Sequence, residues 1–153
     1  MREVVLCVDL GGSGAKVSTV EADGQVRTDV VELPVKRSGH RVEADLGAWW
    51  ALLRDRPSVV GDDERVLAVV VASLRQGYVL TDGASEIAPA VLNSDRRGAP
   101  ALPRLREVEG LYELTGHWAA PELTLPKLLV TADREPALWQ RTERVLFLHD
   151  WLV

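Results

Sequence analysis

A carboxylate followed by a glycine-rich turn is the feature near the N-terminus that is best suited to chemistry. Residues 4–8 form an apolar run that ends at Asp9, and a turn with three glycines, 11–14, follows at once. Glycines let backbone N–H groups approach an anion, because no Cβ atom stands in the way. A strand that ends in a carboxylate and turns back through glycines can therefore hold a metal ion beside a phosphate group.

Two other glycine-rich phosphate loops do not fit this stretch. A P-loop requires the pattern G-x-x-x-x-G-K-[ST], whereas here Lys16 follows an alanine and precedes a valine. A dinucleotide-binding loop requires G-x-G-x-x-G at the start of a helix, whereas residues 16–20 alternate and are rich in β-formers. The stretch therefore predicts a β-hairpin, and a hairpin without any ligand explains it equally well at this point.

A second group of polar residues follows an apolar run in the middle of the chain. Residues 66–72 are almost all apolar and β-branched, which predicts a central strand that is covered on both faces. Arg75 and Gln76 come just after this run. Because ligands of open α/β sheets bind beyond the carboxyl ends of the strands, these side chains are placed to donate hydrogen bonds to hydroxyl groups.

The elements that must position these residues alternate in type along the chain. The predicted strands are 4–8, 17–20, 26–33, 66–72, 78–81 and 145–147, the first three being antiparallel. Residues 34–42 are predicted to be a loop, and 90–92 are a further short apolar run. Asp45 is predicted to cap a helix whose buried face is formed by Leu46, Trp49, Trp50 and Leu53. Further helices are predicted over 102–114 with a break at Gly110, from Pro126, and from Glu135–Pro136.

Length and composition narrow the class of protein. With 153 residues, 46% of them hydrophobic, the chain is predicted to be a single soluble globular domain. Its net charge of −5 argues against nucleic acid as a partner. The single cysteine, Cys7, precludes an internal disulfide, and no apolar run indicates a membrane span or a signal peptide. We therefore expect a cytoplasmic protein without a membrane or nucleic-acid partner.

Six segments, taken in order, resemble the FGGY family of carbohydrate kinases. Each segment is weak alone, but their order and spacing match over essentially the whole chain. The first three are VDLGGSGAKV at 8–17, the Glu43-Ala44-Asp45 helix start with Trp49-Trp50, and ASLRQGYVLTD at 72–82. The others are PAVLNSDRR at 89–97, LTGHWAAPELTLPKLL at 114–129 and EPALWQRTERVLFLHDWL at 135–152. An actin-like or acetate-kinase-like relative would share the hairpin but not the later segments.

The resemblance implies an α/β fold of the ribonuclease H-like, actin-like ATPase type, with a mixed sheet, N-terminal antiparallel β-hairpins and flanking helices. It implies transfer of the γ-phosphoryl group of Mg²⁺-ATP to a hydroxyl of a sugar, polyol or aldonate. The residues that it implies for phosphate and Mg²⁺ are Asp9, the metal ligand, with Gly11, Gly12, Ser13 and Lys16. Those implied for the substrate are Arg75, Gln76, Asp95 and Glu122, and Asp95 fits a plain turn residue equally well.

The sequence departs from the family pattern in the substrate segments. Asn93 stands where the family has a tryptophan, so one aromatic wall of the sugar pocket is absent. The pair Arg75-Gln76 is neither the Met-His pair typical of xylulose kinases nor the Arg-Glu pair typical of glycerol kinases. The sequence therefore does not select among a sugar, a polyol and an aldonate.

Length is the larger departure, because FGGY kinases are several hundred residues long. We therefore expect residues 1–153 to be a truncated N-terminal domain whose partner is a missing C-terminal lobe. By resemblance, that lobe holds the adenosine site and the aspartate that acts as general base, so the chain alone is predicted to be inactive. Apolar surface exposed by truncation would also allow a homodimer. The alternative is a non-catalytic sugar-binding or regulatory module with the same fold.

Overall fold

The computed structural model describes residues 1–12, 14–54 and 59–153, which form a mixed α/β structure. The strands in chain order are β1 (Arg2–Leu10), β2 (Gly14–Glu21), β3 (Val26–Glu32), β4 (Lys36–Ser38), β5 (Arg41–Ala44), β6 (Glu64–Ser73), β7 (Tyr78–Thr81), β8 (Ala90–Val91) and β9 (Arg144–Phe147). The helices are α1 (Leu46–Arg54), α2 (Leu102–Arg106), α3 (Leu111–Thr115), α4 (Thr124–Arg134), α5 (Pro136–Arg141) and α6 (Leu148–Leu152). These elements form two compact units, a first unit of residues 1–35, 45–74 and 148–153 and a second unit of residues 36–44 and 75–147.

A four-stranded mixed sheet in the order β3-β2-β1-β6 forms the centre of the first unit. The pairs β1–β2 and β2–β3 are antiparallel, whereas β1 and β6 are parallel. The three antiparallel N-terminal strands predicted from the sequence are therefore confirmed, together with the mixed character of the sheet.

Glycines close the turn between β1 and β2. The Gly11 N–H donates to the carbonyl oxygen of Gly14, with 2.8 Å between the nitrogen and the oxygen. A Cβ atom on Gly14 would lie 2.8 Å from the carbonyl oxygen of Val31 on β3. Any side chain at position 14 would push β3 away from β2, so the close approach of these strands requires glycine there.

Helix α1 begins as predicted but buries a narrower face. The Asp45 carboxylate accepts a hydrogen bond from the Ala48 N–H at 3.0 Å, which confirms the N-cap. Trp49 is fully buried, and its indole N–H donates to the Pro34 carbonyl at 2.8 Å. The prediction was wrong for Trp50, which is 47% exposed and meets the ring of Trp151 edge-on. Trp50 lies about 100° around the helix from Trp49 and falls at the edge of the buried face, which is narrower here than predicted.

Strand β6 does not have the position that its composition predicted. Among the described residues it is one of the two edge strands of its sheet, paired with β1 alone. Leu67, Val69 and Val70 are each more than half exposed. The prediction of a strand covered on both faces was therefore wrong for this chain, because burial depends on which elements pack against a strand and not on its own apolar content.

The second unit contains a five-stranded antiparallel sheet in the order β4-β5-β8-β7-β9. The predicted loop over 34–42 was wrong, because β4 and β5 form a hairpin there. Gly39 has the positive φ of 58° that its tight turn requires. On β5 the buried side chains of Val42 and Ala44 alternate with Arg41 and Glu43, a short period-two pattern that the basic composition obscured.

The helices of the second unit start and end close to the glycine and proline residues that predicted their boundaries. Gly110, with φ of 73°, separates α2 from α3, and Gly116, with φ of 70°, ends α3. Helix α4 begins two residues before Pro126, and α5 begins at Pro136. The five-residue helix α6, in the first unit, was not predicted because it is too short to show a helical period. Within the described ranges, no helix is long and apolar enough to cross a membrane.

Candidate functional site

The predicted phosphate and metal residues lie at one end of the β1–β2 hairpin in the first unit. Asp9 is exposed near the end of β1, and the strand register places it directly opposite Lys16, which is also exposed. The Gly11 N–H is already used by the Gly14 carbonyl, so it is not free to bind a phosphate in this conformation. Gly12 is exposed at the tip of the turn, and Ser13 lies outside the described residues.

An open pocket of about 470 Å³ in the second unit brings together most of the predicted substrate residues. Arg75, Gln76 and Glu122 all line it. The remaining lining residues are Asn93, Ser94, His117 and Leu123. Ser94 and His117 were not predicted; each lies inside a segment that carries the family resemblance, which was the available signal. The pocket therefore offers several hydrogen-bond donors and acceptors to one small polar ligand.

Gln76 is held in place by the start of α4. Its Oε1 atom accepts two hydrogen bonds from Thr124, one from the backbone N–H and one from the hydroxyl, both at 2.9 Å. Because the amide oxygen is occupied, the Nε2 group is the part of this side chain left to donate to a ligand.

The charged groups at the pocket differ in how far they are neutralised. Glu122 pairs with Arg96 at 2.9 Å, and the two side chains are 41% and 60% exposed. Arg75 is exposed and has no carboxylate partner among the described residues. Its guanidinium is therefore available to a ligand that carries hydroxyl or carboxylate oxygens.

Asp95 does not line the pocket but is fully buried in a polar network. It accepts hydrogen bonds from the Val42 N–H at 2.7 Å and from the Arg97 guanidinium at 2.8 and 2.9 Å. Arg97 also donates to Glu43 at 2.6 Å. Burial opposes ionisation of Asp95, but the hydrogen bonds from Arg97 and Val42 outweigh it, so the pKa of the carboxyl lies below its usual value. The network fastens the segment that carries Asn93 to strand β5.

Lys127 is a buried cation that sequence reasoning missed. Its side chain has no solvent exposure, and its Nζ atom donates to the carbonyl oxygens of Gln76 at 2.6 Å and Leu92 at 3.0 Å. The ammonium also lies 5.7 Å from the centre of the Tyr78 ring. A lysine among the apolar residues of α4 was the signal that could have indicated it.

Solved structures with the same arrangement are sugar kinases. A xylulose kinase from Rhodospirillum rubrum superposes with a TM-score of 0.86 at 23% identity, over 97% of this chain and 33% of that one. A gluconate kinase from Lactobacillus acidophilus gives a TM-score of 0.81 at 12% identity, over 96% of this chain and 32% of that one. These likenesses establish the ribonuclease H-like, actin-like ATPase fold that the sequence predicted.

Sequence comparison identifies the family within that fold. The model of the FGGY family of carbohydrate kinases, N-terminal domain, matches residues 4–153, and the chain belongs to this family. The xylulose kinase of Escherichia coli is 30% identical over 152 residues, which make up 95% of this chain and 31% of that protein. The xylulose kinase of Klebsiella pneumoniae is 28% identical over 152 residues, 95% of this chain and 32% of that protein. The chain thus spans about a third of the length of these relatives.

Proposed function

We propose that this chain is the sugar-binding and first phosphate-binding part of a carbohydrate kinase that transfers the γ-phosphoryl group of ATP to a substrate hydroxyl. The observation that carries the proposal is the polar pocket in which Arg75, Gln76 and Glu122 converge. Membership of the FGGY family supports the reaction class. Because ATP is the proposed donor, the proposed compartment is the cytoplasm.

The residues at the hairpin fit a magnesium–nucleotide complex. Mg²⁺ in nucleotide sites is usually bound by one or two carboxylates together with phosphate oxygens and water, and Asp9 is an exposed carboxylate beside the glycine turn. Within the described residues no three His, Cys, Asp or Glu side chains lie close enough together to hold a metal ion. Bound Mg²⁺ would neutralise phosphate charge, and Lys16, opposite Asp9, would add a second positive charge.

The pocket residues would orient the substrate. The Gln76 Nε2 group and the Arg75 guanidinium can donate to two hydroxyl oxygens, and Asn93 and Ser94 add further polar groups to the same wall. Glu122, the carboxylate that lines the pocket, is paired with Arg96 and is therefore not a free proton acceptor. We propose that the general base belongs to a further lobe of the kinase.

The proposed substrate is a sugar, polyol or aldonate with several adjacent hydroxyl groups. Three of the four proteins compared above are xylulose kinases, so xylulose is the first probe to test. Polyols and aldonates should be tested beside it, because the Arg75 guanidinium can bind a carboxylate as well as a hydroxyl.

The 153-residue chain is expected to bind xylulose without phosphorylating it. Calorimetric titration with the sugar should show binding, whereas a coupled ADP-release assay with Mg²⁺-ATP should stay at background, because the proposed general base belongs to the further lobe. Turnover by this chain would refute the proposal that the general base belongs to a further lobe. Binding without turnover in a longer chain with both lobes would favour a non-catalytic module instead.

Replacement of Arg75 with alanine is expected to weaken xylulose binding by about 10- to 100-fold, because a charged hydrogen-bond donor is lost from the pocket. The unfolding transition should not move, since Arg75 is exposed and unpaired among the described residues. Arg37→Ala, at an exposed position on β4, is the matched control and should leave the affinity unchanged. Unaltered affinity in Arg75→Ala would remove this residue from the proposed site.

A further inference from the structure

The backbone at Gln76 has an unusual conformation. Its φ is 64°, and among the described residues it is the non-glycine residue with a positive φ. A side chain with a Cβ atom adopts this conformation at a cost in free energy, so surrounding contacts must hold it. Gln76 lines the polar pocket, which means that these contacts also fix one wall of the pocket.

The first turn of α4 provides the contacts that hold Gln76. Thr124 donates to its side-chain oxygen, and Lys127 donates to its backbone carbonyl. Thr124 and Lys127 are three residues apart on the helix and therefore share a face. The side chain and the backbone of Gln76 are thus fixed by a single element.

Lys127 also reaches a second segment of the pocket wall. The carbonyl of Leu92, which it contacts at 3.0 Å, immediately precedes Asn93 and Ser94. The Lys127 ammonium therefore bridges the segment 75–76 and the segment 93–94, which are neighbours in the pocket but distant in sequence.

The groups in direct contact with the Lys127 ammonium carry no charge. Both hydrogen-bond acceptors are carbonyl groups, the Tyr78 ring lies beside it, and no carboxylate pairs with it among the described residues. Burial lowers the pKa of Lys127 to about 8; the charges of Asp95 and Glu122 oppose this fall and that of Arg97 adds to it.

We propose that Lys127 is a positioning residue for the sugar pocket: by bridging the carbonyls of Gln76 and Leu92, it sets the separation of the two segments that line the pocket. The bridge itself is a property of this chain, whereas its effect on sugar binding rests on the proposed function above. A packing residue would fill the same space without linking the two carbonyls.

Carbon-detected NMR of the ¹³C-labelled chain tests the bridge without any ligand. Between pH 6 and 12, a range that also covers an ordinary lysine, the carbonyl resonances of Gln76 and Leu92 are expected to shift together with a shared midpoint, which burial lowers to about 8. Lys127→Met should abolish the shared step, and Lys36→Met, at an exposed lysine on β4, should leave it unchanged. Separate midpoints, or no step at either carbonyl, would overturn the proposal in the wild-type chain alone, even if Lys127→Met fails to fold.

Calorimetric titration with xylulose tests the consequence for the pocket. Lys127→Met is expected to weaken binding about tenfold or more, because a charged hydrogen-bond bridge is lost. Val130→Ala removes buried volume from the same helix but leaves the bridge intact, and its affinity should stay within about twofold of the wild type. Equal losses in both variants would show general destabilisation and overturn the positioning role. If the wild type binds no xylulose, the proposed substrate fails, while the carbonyl titration still decides on Lys127.

Discussion

Replacement of Asp95 with alanine is expected to lower the free energy of unfolding by about 3 kcal/mol or more. Asp95 is fully buried and accepts hydrogen bonds from the Arg97 guanidinium and from the Val42 N–H. Its removal leaves the Arg97 charge with Glu43 as its remaining partner and leaves a buried backbone N–H without an acceptor. Denaturant unfolding at neutral pH, followed by circular dichroism, measures the effect.

The neighbouring residue provides the control for this prediction. Arg96 forms an ion pair with Glu122 at 2.9 Å, but Arg96 is largely exposed and Glu122 is partly exposed. Arg96→Ala should therefore cost less than about 1 kcal/mol. Similar losses in Asp95→Ala and Arg96→Ala would contradict the view that burial makes the Asp95 network costly to break.

The same network predicts acid sensitivity. The pKa of Asp95 is lowered in the folded chain relative to the usual 3.8, so its ionised form stabilises the fold. That contribution is complete above the unfolded pKa, near 4, and is lost as the pH falls through the lower folded pKa. The difference in stability between the wild type and Asp95→Ala should therefore shrink as the pH falls below 4.

Replacement of Gly98 with alanine is expected to destabilise the second unit by about 2 kcal/mol. A Cβ atom at this position would lie 2.7 Å from the Pro121 carbonyl oxygen, 2.9 Å from the Pro126 side chain and 3.0 Å from the backbone nitrogen of Lys127. Two of these neighbours are backbone atoms, so the start of α4 must move to accept the methyl group. The φ of Gly98 is −68°, which alanine adopts freely, so the effect is steric and not conformational.

Thermal unfolding of Gly98→Ala, read beside Ala99→Ser, tests the steric explanation. Ala99 is adjacent and exposed, so the serine variant should differ from the wild type by no more than about 0.5 kcal/mol. Because the start of α4 holds Gln76, Gly98→Ala should also weaken xylulose binding. Wild-type stability in Gly98→Ala would show that α4 can shift freely.

Local sequence signals predicted much of the fold. The glycines of the β1–β2 turn, Asp45 at the start of α1 and Gly110 between α2 and α3 each impose a conformation on their own neighbours. Such signals require no knowledge of distant residues, which is why the hairpin, the helix cap and the helix break were confirmed.

The features that were missed depend on contacts between distant segments. The exposure of β6 depends on which elements pack against its faces, and Lys127 is held by two carbonyls that lie 35 and 51 residues away in the chain. The candidate pocket was half predicted for the same reason. Arg75, Gln76 and Glu122 were predicted from the segments that contain them, whereas His117 lies in the same segment as Glu122 but only the folded chain shows that it lines the pocket.

The chain passes between its two units four times, at 35–36, 44–45, 74–75 and 147–148. The first unit therefore includes both β1 and α6, which are separated by more than 130 residues of sequence. During synthesis, β1 must wait for β6, its parallel partner, and the unit is complete only after α6 has been made. Pairing across such separations slows folding, so the nascent first unit should depend on chaperones more than the second, whose residues 75–147 are continuous.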